Sequence, residues 1–182
     1  VSENGNAFMR TAPIYFGISR KFSKPVTIDG TVKSITLKVT LLQPKKEAGH
    51  TITPTLSSRV TVVHSTGQAF EQEKDSGVYV SGYGHNSQMS NYGGYRVDGK
   101  EIIRSSPPKS PYNLLAGWDQ WETWTLVYDN QKKTLEFFGS ADSAGPRTVL
   151  YNVKMDGVTL NCLWLPAWGA CYKNVRVTVE RK

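Results

Sequence analysis

From residue 34 to 42 the chain alternates without a break: Ile35, Leu37, Val39 and Leu41 fall on one side of an extended backbone, and Ser34, Thr36, Lys38 and Thr40 on the other. Side chains along a strand point to opposite faces with a period of two, so this segment makes a strand with one dry and one wet face. The pattern returns near the end of the chain, where Val175, Val177 and Val179 alternate with Asn174, Arg176 and Thr178. Further runs rich in β-branched and aromatic residues stand at 58–64, 77–83, 121–128, 133–138, 148–153 and 158–165, bounded by Gly, Pro, Asn, Asp or Ser. Helical periodicity is almost absent. So many strands cannot all bury a dry face within one sheet, and the chain is expected to be all-β, with at least two packed sheets.

Two of the runs form the sharpest local motif. WETWTLVY and KTLEFF are joined by the turn-forming Asp129-Asn130-Gln131-Lys132, which predicts a hairpin with Trp124, Leu126 and Tyr128 on its core face. Trp121, Thr123, Thr125 and Val127 take the other face. Asp98-Gly99 marks a second hairpin turn, and SSPPKSP at 105–111 must be a loop, because its prolines remove ladder donors. With 182 residues, no internal repeat and no linker, residues 1–182 are expected to be one domain.

The net charge is +7, but the excess is spread along both halves in short pairs such as Lys45-Lys46 and Lys132-Lys133. No basic block or helix supports nucleic-acid binding, which is not expected. No apolar run reaches the roughly 18 residues that a membrane-spanning helix needs, so membrane insertion is not expected either. The opening residues lack the pattern of a signal peptide, and the chain is expected to be attached in life to a larger protein. Cys162 and Cys171 lack zinc-ligand spacing. A disulfide between them fits an extracellular domain, and two buried thiols fit otherwise.

The order of the strands resembles the concanavalin A-like lectin and laminin G-like superfamily, in the segments NGNAFMRTA, FSKPVTIDGTVKSITLKVTLL, WETWTLVYDNQKKTLEFFG and GACYKNVRVTVE. The resemblance implies a jelly-roll β-sandwich of two antiparallel sheets with little or no helix. Its members include lectins, carbohydrate-binding modules, laminin G domains, glucanases and polysaccharide lyases, so it constrains fold more than function.

The stretch SGYGHNSQMSNYGGYR, residues 81–96, has four Gly, three Tyr, a His and an Arg with almost no aliphatic residue, and reads either as a ligand-binding loop or as a glycine-rich hairpin whose tyrosines pack on a neighbouring sheet. Flat aromatic rings suit the apolar faces of a pyranose, and imidazole and guanidinium groups suit hydroxyls or a carboxylate. The expected binding residues are therefore Tyr83, His85, Tyr92, Tyr95 and Arg96, with Trp118 and Trp168 as further platforms. Trp164 continues the alternation of Leu160 and Cys162 and is assigned to the core.

Catalysis has weaker support. Glu71, Glu73 and Asp75 would share one strand face, and the resemblance matters because glucanases of this fold use a similar acidic set. Here, however, Gln68, Lys74 and Ser76 surround them, and hydrated carboxylates stay ionised and cannot act as acids. A lyase would draw on Arg59, His64, Tyr83, His85 and Tyr95 to neutralise a uronate and move a proton. The histidines lack metal spacing. Asp98, Asp129 and Asp142 could contribute to a calcium site, yet no motif supports one, and no cofactor is expected. The sequence thus reads as an extracellular or cell-surface, non-catalytic carbohydrate-binding module for a neutral or anionic glycan. A polysaccharide-active enzyme and a laminin G-like interaction domain are the alternatives.

Overall fold

The computed structural model describes residues 2–3, 6–7, 9–10, 18–42, 51–52, 55–57, 76–85, 88–97, 100–104, 119–139, 147–165 and 171–182. Every regular element among them is a strand. β1 (Ser2–Glu3) and β2 (Asn6–Ala7) form a small hairpin, followed by β3 (Met9–Arg10), β4 (Ile18–Thr27) and β5 (Val32–Leu42). Next come β6 (Thr51–Ile52), β7 (Thr55–Ser57), β8 (Gly77–His85), β9 (Gln88–Val97) and β10 (Lys100–Arg104). The last five are β11 (Trp121–Asp129), β12 (Thr134–Phe138), β13 (Arg147–Leu150), β14 (Thr159–Leu165) and β15 (Cys171–Arg181).

These pair into two antiparallel sheets. One has six strands in the order β13-β12-β11-β5-β15-β3; the other has seven, in the order β10-β9-β8-β7-β14-β4, with β6 also paired to β8. Neighbours in a sheet are often distant in sequence, as a jelly roll requires. Seven of the eight expected runs return as strands with shifted ends, and the eighth, 58–64, lies outside the described residues. The second hairpin also forms, with Val97 paired to Lys100 across residues 98–99. Among the described residues no helix is long and apolar enough to cross a membrane.

The core lies between the sheets. Ile35, Leu37, Val39 and Leu41 of β5 and Trp124, Leu126 and Tyr128 of β11 are buried in one cluster with Leu56, Val78, Tyr95, Leu160, Leu163 and Leu165 of the opposite sheet. The alternation of β5 and of the β11–β12 hairpin therefore sorted core from surface correctly. At the hairpin turn, buried Asn130 holds the end of the sandwich together. Its Nδ2 donates to the carbonyls of Asp29 and Val32, both at 2.9 Å, while its Oδ1 accepts from the Tyr128 hydroxyl at 3.0 Å and the Lys133 ammonium at 2.8 Å.

Two bulges reset the alternation. On β15, Tyr172 and Val175 both face inward although they are an odd three positions apart, because the register shifts between Lys173 and Arg176. Asn174, inside that bulge, takes a positive φ of 51°, a conformation that Asn tolerates better than most residues. On β14 the shift falls between Leu160 and Cys162, so Leu163 and Leu165 follow Leu160 into the core and Cys162 and Trp164 turn to the outer face. This corrects the expected Leu160–Cys162–Trp164 core face: Trp164 is buried (3% exposed) but lies outside the core cluster.

The same geometry settles the cysteines, which are both buried and are not joined in a disulfide. Cys162 is on the outer side of the seven-stranded sheet. Cys171 precedes inward-facing Tyr172 and is on the outer side of the six-stranded sheet. Sheets pack about 10 Å apart, so two such thiols are too distant to bridge.

Candidate functional site: the outer face of the seven-stranded sheet

Of the two readings of the glycine- and tyrosine-rich stretch, the structure takes the hairpin, β8–β9, with the two strands paired from Gly77↔Arg96 to His85↔Gln88. Its glycines hid the strand pattern, since glycine has no side chain to show which face is buried. Period-two geometry divides the hairpin. Val78 and its partner Tyr95 belong to the core, which places Gly77, Tyr79, Ser81, Tyr83 and His85 at the opposite, outward register positions. On β9 the outward positions are Gln88, Ser90, Tyr92, Gly94 and Arg96, with Tyr92 opposite Ser81 and Ser90 opposite Tyr83.

Four of the expected binding residues, Tyr83, His85, Tyr92 and Arg96, thus occupy one face of two adjacent strands. Tyr95 does not. It is 2% exposed inside the core, and the Lys154 amide donates to its hydroxyl at 3.3 Å. Tyr95 is corrected from ligand platform to core residue, and the physical reason is its odd spacing from Tyr92 and its adjacency to Arg96. Trp118 and Trp168 lie outside the described residues, as do Arg59, His64, Glu71, Glu73, Asp75, Asp98 and Asp142.

The register adds positions that residue type alone did not single out. Thr51 of β6 pairs with Tyr83, Arg104 of β10 pairs with Gly94, and Glu101 pairs with Arg96, all on the outward face. Exposed Lys21 of β4 lies opposite Cys162 on the same side. The alternation Tyr79-Ser81-Tyr83-His85 was the signal that could have revealed this face. Trp164, on the outer side of β14, is buried.

Among the described residues no three His, Cys, Asp or Glu side chains group closely enough to hold a metal ion. Asp129, a calcium candidate, is committed to its turn: Oδ1 accepts from the amides of Gln131 and Lys132, both at 2.9 Å, and Oδ2 lies 3.4 Å from the Lys132 ammonium.

No protein-family model and no curated protein matches the chain. Solved structures do. An alginate lyase from a Chlorella virus, vAL-1, superposes with a TM-score of 0.59 at 11% identity over 99% of this chain and 88% of its own. The legume lectin-like domain from Entamoeba histolytica gives 0.58 at 11% identity, covering 94% and 83%. Peanut lectin gives 0.55 at 14% identity, covering 100% and 89%. The chain has the legume lectin-like, concanavalin A-like jelly-roll fold. At these identities the likeness defines architecture, and function must be argued from the residues.

Proposed function

We propose that the protein binds a glycan chain across the outer face of its seven-stranded sheet, without transforming it and without a cofactor. The observation that carries this reading is the register of β8 and β9, which aligns Tyr83, His85, Tyr92 and Arg96 at outward positions of neighbouring strands. Strands stand about 4.8 Å apart and outward positions about 7 Å apart along a strand, a grid on the scale of successive sugar rings. Tyrosine rings offer stacking faces, and arginine offers a planar fork for a carboxylate. Arg104 on the same face favours an acidic sugar. Lectins of the same fold support the class of ligand. In this reading the domain works at the cell surface or outside the cell as part of a larger protein.

A second reading has its own observation. Tyr83 and His85 are two residues apart on one strand face, with Arg96 on the same face, and a structure of this fold is an alginate lyase. In such a reaction arginine would neutralise a uronate carboxylate and one side chain would take the proton from C5. The C4–O bond would break as the C4–C5 double bond formed, and a second group would protonate the departing oxygen. Glycan arrays with Tyr92→Ala and Arg96→Ala test the binding reading, which expects each variant to lose about tenfold in affinity while its melting temperature holds. Unchanged binding in both would contradict it. Release of unsaturated uronate from alginate by the wild type, abolished by Tyr83→Phe, would replace it with the lyase.

A further inference from the structure

The outer face of the other sheet carries charges that neither reading uses. Across its central strands the register aligns one rung as Arg176 of β15, Lys38 of β5, Thr125 of β11, Phe138 of β12 and, at its far end, Arg147 of β13. Lys38 and Arg176 are both exposed and stand directly opposite each other. Like charges in that position destabilise a sheet. The same two strands neutralise charge elsewhere, where Lys33 meets Glu180 at 3.2 Å, but among the described residues no acidic side chain is paired with Lys38 or Arg176. Lys173 is a further cation, held on the adjoining rung with its ammonium 3.8 Å from the centre of the Trp121 ring. Thr36 and Thr178, on the next rung along, add hydroxyls.

We infer that this face is a second anion-binding surface, centred on Lys38 and Arg176 and suited to an acidic glycan. Arg176 and Lys38 stand one interstrand gap apart, about 4.8 Å, and the Lys173 rung lies about 7 Å along the strands, a patch on the scale of two sugar rings. Two exposed cations stand side by side there, with Lys173 on one adjoining rung and the Thr36 and Thr178 hydroxyls on the other, which suits a glycan whose charged groups are flanked by hydroxyls. Double-stranded DNA presents a charge about every 1.7 Å and would bring phosphates against Glu136, Asp129 and Glu180 on neighbouring rungs. The charge could be a uronate carboxylate or a sulfate ester; both meet lysine and arginine by charge-assisted hydrogen bonds.

The test uses protein carrying Tyr92→Ala and Arg96→Ala, so that the seven-stranded face does not contribute and the two sites succeed or fail separately. Calorimetric titration at 150 mM salt is made with a galacturonate hexamer and with a dextran sulfate oligomer, before and after adding Lys38→Glu. That change turns the like-charge pair into an opposite-charge pair, so it should raise the melting temperature and weaken binding of at least one of the two glycans tenfold or more; which one weakens identifies carboxylate or sulfate. No binding in the starting protein, or binding that Lys38→Glu leaves unchanged, overturns the inference. A loss confined to a short DNA duplex or to phosphatidylserine vesicles, run in parallel, overturns the assignment to a glycan.

Discussion

At the scale of single residues, the sandwich depends on a few side chains that satisfy several partners at once. Trp124 fills the core and its indole N–H points to the buried Glu122 carboxylate at 3.4 Å. Trp124→Ala should therefore cost about 3–5 kcal/mol in urea unfolding, and a variant of wild-type stability would remove it from the core. Asn130 contributes without apolar bulk. Asn130→Ala removes hydrogen bonds to the carbonyls of Asp29 and Val32 and from the Tyr128 hydroxyl, and should cost about 2–3 kcal/mol by the same measurement. Tyr128 also predicts a pH limit. Burial, with the nearby Asp156 charge adding to it, pushes its phenol up to about 12. The folded state then keeps a proton that the unfolded chain releases near pH 10, so this contribution is present below pH 10 and is lost as pH rises toward 12. Tyr172, fully buried, is raised in the same direction by burial. Thermal unfolding followed from pH 9 to 12 should show falling stability, with a shallower fall in Tyr128→Phe.

At the scale of elements, what the sequence revealed depended on whether a strand had one wet face and an unbroken phase. β5 and the β11–β12 hairpin met both conditions, and their core residues were legible position by position. β14 was read with its two faces exchanged beyond Leu160, because nothing local announces a bulge and all of its side chains from Cys162 to Leu165 are buried. The β8–β9 segment was recognised as unusual but left undecided between loop and hairpin, since glycines at positions 82, 84 and 93 erased the inward half of its pattern. Strand pairing then separated Tyr95 from Tyr92 and Arg96, a distinction that residue chemistry cannot make. β4 was missed as a strand because Arg20, Lys21, Lys24 and Pro25 break its apolar alternation. Those residues have a use: β4 ends its sheet, and charged side chains and proline discourage an exposed edge from pairing with another molecule. Replacing Arg20, Lys21 and Lys24 with threonine should produce concentration-dependent oligomers in size-exclusion chromatography. A strictly monomeric triple variant would show that the edge is guarded some other way.

At the scale of the whole molecule, two sheets built for one core leave two outward faces with different chemistry. One carries tyrosine, histidine and arginine positions; the other carries the exposed Lys38–Arg176 pair, to which no acidic side chain among the described residues is joined. The fold is shared with lectins and with a lyase, so the location of the ligand discriminates more than its presence. The central claim is that glycan lies on β8 and β9. Amide chemical shifts of the isotope-labelled protein, followed by NMR during titration with an alginate oligosaccharide, test it most directly. Saturating shifts are expected at Tyr83, His85, Tyr92 and Arg96 and at their cross-strand partners Ser90, Gln88, Ser81 and Gly77, whatever happens on the six-stranded face. Saturable binding that leaves β8 and β9 unshifted would contradict it.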